Sequence, residues 1–327
     1  MRSLLLFLIL LFLISTCNMT DAQDSLEGKI AVYNYNSQEY SIYINSETPF
    51  ISFNVNDQFG GIYWLNSNDE FLSSENFSGI TRMERRCDII KLDLSGSIVD
   101  RIYEAKKGEL AWPLYTSRDD KYLLFTTHNL VDPEVYPFEG LTPMLTLAVI
   151  DLEQKEVIIK LDSIGRSPNF KVVESPWLFS GYQFVYSIDG KTKMQLDGDD
   201  KRLNPNTSDE GVYIFDLTTE KNILLVPGAH TAITSPTNNQ IAYQKDNSIR
   251  VLDLATNEEK VIYEYNTKEQ LFGMHWTPNG ESIYFAYKYR MGIGDSFTSG
   301  EKLIKIATGE EKSFKKIGHG FGSYSWR

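Results

Sequence analysis

Residues 230–265, HTAITSPTNNQIAYQKDNSIRVLDLATNEEKVIYEY, alternate apolar and polar positions and break at clusters of Pro, Asn and Thr. A period of two is that of a strand with one face covered. The breaks are tight turns, because Pro presets φ while Asn and Gly tolerate the positive φ of a reversal. The stretch therefore predicts strand, tight turn, strand, loop, strand, tight turn, strand. LFGMHWTPNGESIYFAYKYR, followed by EKLIKIATGEEKSFKKI, repeats that order. Ser235-Pro236-Thr237-Asn238-Asn239 matches Thr277-Pro278-Asn279-Gly280, and Leu254-Ala255-Thr256-Asn257-Glu258 matches Ile306-Ala307-Thr308-Gly309-Glu310.

The same template recurs upstream. YTSRDDKYLLFTTH and LAVIDLEQKEVIIKL make a unit at about 110–161, and VESPWLFSGYQFVYS and VYIFDLTTEKNILLV make one at about 170–226. A looser unit starts at FISFNVNDQFGGIYWLN and closes with DIIKLDLSGSIVDRIY. An Asp-Leu pair precedes the second turn at Asp93, Asp151, Asp216 and Asp253, where the carboxylate is expected to accept hydrogen bonds from the turn backbone. Two fragments remain: SYSWR aligns with GMHWT as a first strand, and EGKIAVYNYNSQEYSIYIN aligns with the continuation. Joined head to tail they form a sixth unit. The expectation is an all-β, six-bladed β-propeller whose last blade is closed by the N- and C-terminal strands.

Trp276-Thr277-Pro278-Asn279-Gly280, with SIYFAY and DLATNE, resembles the TolB-type six-bladed propeller repeat, a WD40-like arrangement also found in the propeller domains of prolyl oligopeptidases and dipeptidyl peptidases. The resemblance covers nearly all of the chain after the N-terminal segment and implies fold more strongly than activity.

In such a ring the connections between second and third strands share one face. Four of them read as long: Asn66–Arg86, His128–Pro143, Asp189–Glu210 and Lys288–Gly300. Long irregular loops on one face point to binding. Aromatic and Arg residues are the usual anchors of an interface. The candidate contacts are Arg82, Arg85, Arg86, His128, Tyr136, Phe138, Tyr289, Arg290 and Phe297, against the plainer reading that such side chains only pack loops onto blades. Asp197, Asp199 and Asp200 fail the spacing of an EF-hand and read as a solvated loop. His230, His275 and His319 are placed at or near the start of innermost strands. The alternative they support is a metal or acid/base site at the channel of a carbohydrate-acting propeller lyase or hydrolase. Their registers differ between units, so the primary expectation is no metal and no cofactor.

The net charge of −12 argues against a nucleic-acid partner. No G-x-S-x-G elbow occurs, and the propeller takes up the chain that a hydrolase domain would need. The N-terminus, MRSLLLFLILLFLISTC, carries one positive charge and an apolar run from Leu4 to Ile14, shorter than the roughly 20 residues that span a bilayer. It reads as a signal peptide over residues 1–22, cleaved after Ala22, or as a lipoprotein signal ending before Cys17, which resembles a lipobox cysteine except for Thr16. Residues 23–327 are then one exported, monomeric domain in the periplasm, on the outer surface or outside the cell, touching membrane only through lipid on Cys17. The other cysteine, Cys87, reads as a buried structural thiol. The expected function is non-enzymatic: binding a protein or extended ligand on the long-loop face. A structural envelope component is a further alternative.

Overall fold

The computed structural model describes residues 29–34, 39–44, 51–54, 63–65, 69–77, 84–129, 144–166, 170–171, 176–188, 210–266, 269–290, 297–314 and 324–326. These form β1 (Lys29–Asn34), β2 (Glu39–Ile44), β3 (Ile51–Asn54), β4 (Tyr63–Trp64), β5 (Glu70–Phe77), β6 (Arg86–Asp93), β7 (Ile98–Tyr103) and β8 (Glu109–Thr116). Next come β9 (Tyr122–Asn129), β10 (Met144–Asp151), β11 (Glu156–Arg166), β12 (Phe170–Lys171), β13 (Gln183–Ile188), β14 (Gly211–Asp216), β15 (Lys221–Pro227) and β16 (His230–Thr234). The chain continues through β17 (Gln240–Lys245), β18 (Ser248–Asp253), β19 (Glu259–Glu264), β20 (Glu269–Trp276), β21 (Ser282–Arg290), β22 (Phe297–Lys305), β23 (Glu311–Phe314) and β24 (Tyr324–Trp326).

The fold is all-β, and its strands pair as antiparallel meanders. β24 leads a sheet with β1, β2 and β3, in the register Ala31↔Ser325. β12–β15, β16–β19 and β20–β23 each form a four-stranded sheet. β4–β7 and β8–β11 are two further meanders, joined into one eight-stranded sheet by a parallel bridge, Cys87↔Leu110. The meanders are called here the terminal unit and the second to sixth units.

Three sequence expectations need correction. Ile51–Asn54, assigned to the looser unit, is the outer strand of the terminal sheet, paired with β2. The connection drawn from Asn66 to Arg86 contains β5, which reduces it to residues 78–85. EFLSSENF does not alternate, because Phe71, Leu72, Ser73 and Ser74 are all buried, on both faces of the strand. The connection drawn from Lys288 to Gly300 likewise shrinks to residues 291–296, as β21 and β22 pair out to Arg290↔Phe297.

The core lies between successive units rather than inside any one of them. In β9, Leu123 and Phe125 pack against Leu72, Ile89 and Ile102 of the second unit. Leu124, between them, packs against Trp177 and Phe184 of the fourth unit. Each such side chain contributes about 1.5–3 kcal/mol on burial, and a unit alone would leave both faces wet. Similar clusters join the fourth unit to the fifth and the fifth to the sixth.

The Asp-Leu turns behave as expected. Oδ1 of Asp151 accepts from the amides of Glu153 and Gln154 at 3.0 and 2.9 Å, and Asp216 and Asp253 repeat the pattern with Thr218 and Thr219, and Ala255 and Thr256. Asp93 caps Ser95 and Ser97 in the same way. The Thr218 hydroxyl first and the Gln183 side-chain amide second, ahead of the turn amides, hold the Asp216 carboxyl well below the usual range.

Candidate functional site: the long-loop face

Connections between second and third strands of a unit leave from one end of the sheets. In the fifth unit this connection is the two-residue turn Asp246-Asn247, with φ of 48° and 56°, which gives a close hairpin. In the second, third, fourth and sixth units it runs through residues 78–85, 130–143, 189–210 and 291–296. Arg82, Tyr136, Phe138 and His319 lie outside the described residues, as does the N-terminal segment. Tyr289, Arg290 and Phe297 lie at the ends of β21 and β22, in the register Tyr289↔Thr298 and Arg290↔Phe297.

The remaining candidates meet at the junction of the second and third units. Gly108 donates its amide to the carbonyl of Arg85 at 2.8 Å, Cys87 bridges Leu110, and Leu110 pairs with His128. Arg85, Arg86 and His128 thus come together at one end of the eight-stranded sheet, although they are distant in sequence. Arg85 is exposed. Arg86 lies 4.5 Å from the centre of the Phe77 ring and 3.4 Å from Asp88. Arg101, from β7, meets the same ring at 5.5 Å and pairs with Asp88 at 2.6 Å and Glu75 at 2.8 Å. Burial works against the Arg101 charge, but Glu75 and Asp88 together hold its pKa above the usual value. Fully buried Asp88 also accepts the amide of Ala105 at 3.0 Å. Within this cluster the charges are spent on one another.

Closer to the innermost strand stand residues that sequence reasoning missed. Trp112 meets His128 edge-on, with ring centres 4.7 Å apart and planes at 88°. Neither ring has a hydrogen-bond partner among the described residues. Burial pushes the imidazole pKa down to about 4, so His128 is neutral at physiological pH. Beside them, buried Glu109 accepts the Tyr103 hydroxyl on both oxygens at 3.1 Å and the Lys106 amide at 3.0 Å. Burial first, then Glu109, raises the Tyr103 pKa. Trp64, Trp177 and Trp276 each stand one residue before the first turn of their unit; Trp64 and Trp276 end β4 and β20, while Trp177 forms an isolated bridge with Phe184. Trp177 and Trp276 donate Nε1–H to carbonyls of the preceding unit, Tyr115 and Ile233. Trp177 and Trp276 are therefore staples of the repeat. Trp112 departs from that position, a signal the sequence alignment contained.

The two described histidines of the metal alternative sit apart along their strands. His230 opens β16, opposite Gln244. His275 is next to last in β20, opposite Tyr284, and not at its start. Among the described residues no group of three or more His, Cys, Asp or Glu is placed to hold a metal ion. Cys87 is a free, buried thiol, and burial raises its pKa to about 11, which keeps it protonated and unreactive.

Neither a protein-family model nor a curated protein matches the sequence. Among solved structures, TolB from Acinetobacter baumannii superposes over 92% of this chain and 67% of its own, with a TM-score of 0.56 and 16% identity. The fold is that of a TolB-type β-propeller. A putative TolB from Agrobacterium tumefaciens covers 93% of this chain and 91% of its own at a TM-score of 0.47 and 11% identity. Oligogalacturonate lyase in complex with manganese covers 75% and 61% at 0.44 and 13%. At such identities the likeness concerns architecture and carries no activity with it.

Proposed function

We propose that the chain is an exported, non-enzymatic six-bladed propeller that binds a protein or an extended ligand on its long-loop face. In this reading the blades are the terminal unit and the second to sixth units, and the sheet built from β24 and β1–β3 closes the ring. The domain acts as a monomer in the envelope or outside the cell. The observation that supports the reading is the unequal spacing of second and third strands, which leaves residues 78–85, 130–143, 189–210 and 291–296 between them in four units against two residues in the fifth, with Arg85 and His128 near those strand ends. The Trp112–His128 ring pair and the exposed Arg85 guanidinium on a rigid support suit an interface, and the inter-unit core supplies that support.

The test removes residues 132–140 or 291–296 and measures capture of partners from the native envelope, with thermal melting as a control for folding. The expected result is loss of capture with little change in melting temperature. Retention of the same partners after both deletions would overturn the reading. So would a stoichiometric transition metal that copurifies with the protein and is lost on His275→Ala.

A further inference from the structure

The opposite face carries a second feature. Turns between first and second strands share one hydrogen-bonded frame. The amides of Leu65, Ser117, Leu178, Ser235 and Thr277 donate to the carbonyls of Glu70, Tyr122, Gln183, Gln240 and Ser282, at 2.7–3.1 Å. Because the frame is shared, its side chains can be compared position by position. The second and fifth places hold Arg118 and Lys121 in the third unit, Pro236 and Asn239 in the fifth, and Pro278 and Glu281 in the sixth. In the fourth unit they hold Phe179 and Tyr182, which are 50% and 44% exposed. Gly181, with φ of 74°, turns the chain between them.

The adjacent turn meets Phe179 with a cation directly and Tyr182 through the Tyr122 ring. Arg118 lies 4.5 Å from the Phe179 ring centre and donates Nη1–H to the Pro236 carbonyl at 3.1 Å. The Lys121 ammonium lies 5.0 Å from the Tyr122 ring, and Tyr122 touches both Tyr182 and the buried staple Trp177. The acids between these cations are turned back into their own turn. Asp119 accepts from Ser117 Oγ and the Lys121 amide, and Asp120 from Thr116 Oγ1. Neither Arg118 nor Lys121 forms an ion pair among the described residues. Two exposed rings and two cations without an ion pair among the described residues are thus held on a rigid base, on a chain whose net charge is −12.

We propose that this turn-face patch docks an acidic peptide segment that carries an apolar side chain. Its carboxylates would meet Arg118 and Lys121, and its apolar group would lie against Phe179 and Tyr182. A short segment fits the charge pattern better than a bilayer. Glu153, Glu220, Glu258 and Glu281, all exposed on the same face, would repel an extended anionic surface. The surface is distinct from the long-loop face and does not depend on its function.

Fluorescence anisotropy with three probes tests this: a labelled acidic peptide with one Phe and one Leu, its counterpart with Lys for every Asp and Glu, and phosphatidylglycerol vesicles. The full chain is expected to bind the acidic peptide selectively. Phe179→Ser and Lys121→Glu, at exposed sites that leave melting unchanged, should each weaken that binding about tenfold. Lys121→Glu should also raise affinity for the basic counterpart, while deletion of residues 132–140 leaves acidic-peptide binding intact. Equal binding of both peptides, less than a twofold loss in both variants, or binding to vesicles but not to peptide would each overturn the proposal.

Discussion

The junction of the second and third units and that of the fifth and sixth are built from the same three residue types at the same spacing, yet they differ in tightness. In each, a tyrosine at the end of an outer strand reaches the glutamate that opens the next innermost strand: Tyr103 to Glu109, and Tyr263 to Glu269. A phenylalanine of the next strand packs on the tyrosine in both, Phe125 at 5.0 Å and Phe285 at 5.1 Å. The difference comes from one residue on the neighbouring strand. Opposite Phe125 stands Ala148, fully buried, and Tyr103 donates evenly to both Glu109 oxygens at 3.1 Å. Opposite Phe285 stands Lys302, whose ammonium donates to the Tyr263 oxygen at 2.7 Å and lies 4.5 and 5.5 Å from the Tyr263 and Tyr287 rings. The Tyr263–Glu269 bond is correspondingly long, 3.4 Å. A buried alanine leaves the tyrosine to seal its junction with the glutamate alone. A lysine in the same place draws the hydroxyl into an aromatic cage with an outer partner, Glu311.

The expected outcomes that break or sharpen that contrast begin with the largest. Tyr103→Phe leaves buried Glu109 with the Lys106 amide as its remaining donor named above, and should cost about 2 kcal/mol in urea unfolding. Tyr263→Phe should cost less than about 1 kcal/mol, since Lys302 keeps Glu311. Equal losses would erase the distinction between the junctions. Gly300→Ala sharpens it from the other side. A Cβ there would stand 2.5 Å from the Tyr287 hydroxyl, so the ring must leave the lysine cage. The expected cost is about 1–2 kcal/mol, and double substitution with Tyr287→Phe should recover little of it, because the ring itself remains in conflict.

His128 gives a smaller, pH-dependent effect confined to the tighter junction. Its folded pKa, about 4, lies below the unfolded value of about 6.5. The unfolded chain therefore binds the proton first, and stability present above about pH 6.5 is lost as the pH falls toward 4. After allowance for partial exposure, the loss is about 1–2 kcal/mol and should vanish in His128→Phe. Unfolding measured from pH 7 to 4 checks this. The smallest effect is expected from Glu220→Gly, which relieves a φ of 53° in the fourth unit's Asp-Leu turn and should add about 0.5 kcal/mol or less, read as a shift in midpoint.

Sequence disclosed the parts of the molecule that local chemistry dictates. Turns such as Asp253-Leu254-Ala255 announce themselves because carboxylate capping and positive φ restrict residue choice within four or five positions. SYSW could be matched to GMHW because a tryptophan at the end of an innermost strand recurs in the chain. β5 was not legible. Ser73 and Ser74 are buried by neighbours distant in sequence, so polarity gave the wrong sign for burial. The Trp112–His128 contact and the Glu109 clasp were hidden for the same reason, being made where one unit meets the next. Yet the repeated IYE with a second Glu after it, at Ile102 and Ile262, was present in the sequence and marks both junctions.

The ring itself is tested most directly at the sheet shared by the two ends of the described chain. Cysteines placed at Ala31 and Ser325, or in a second variant at Val32 and Tyr324, occupy directly opposed positions of β1 and β24. One of these neighbouring pairs must be of the closely spaced kind that a disulfide can bridge. Cysteines at Ser41 and Ser52, whose hydroxyls lie 3.0 Å apart on β2 and β3, serve as the control, with Cys17→Ser throughout. Oxidation should cross-link the control and at least one of the test pairs to similar extents, and the cross-linked protein should melt higher than its reduced form. A control that cross-links while both test pairs stay reduced would contradict a propeller closed by β24 and β1.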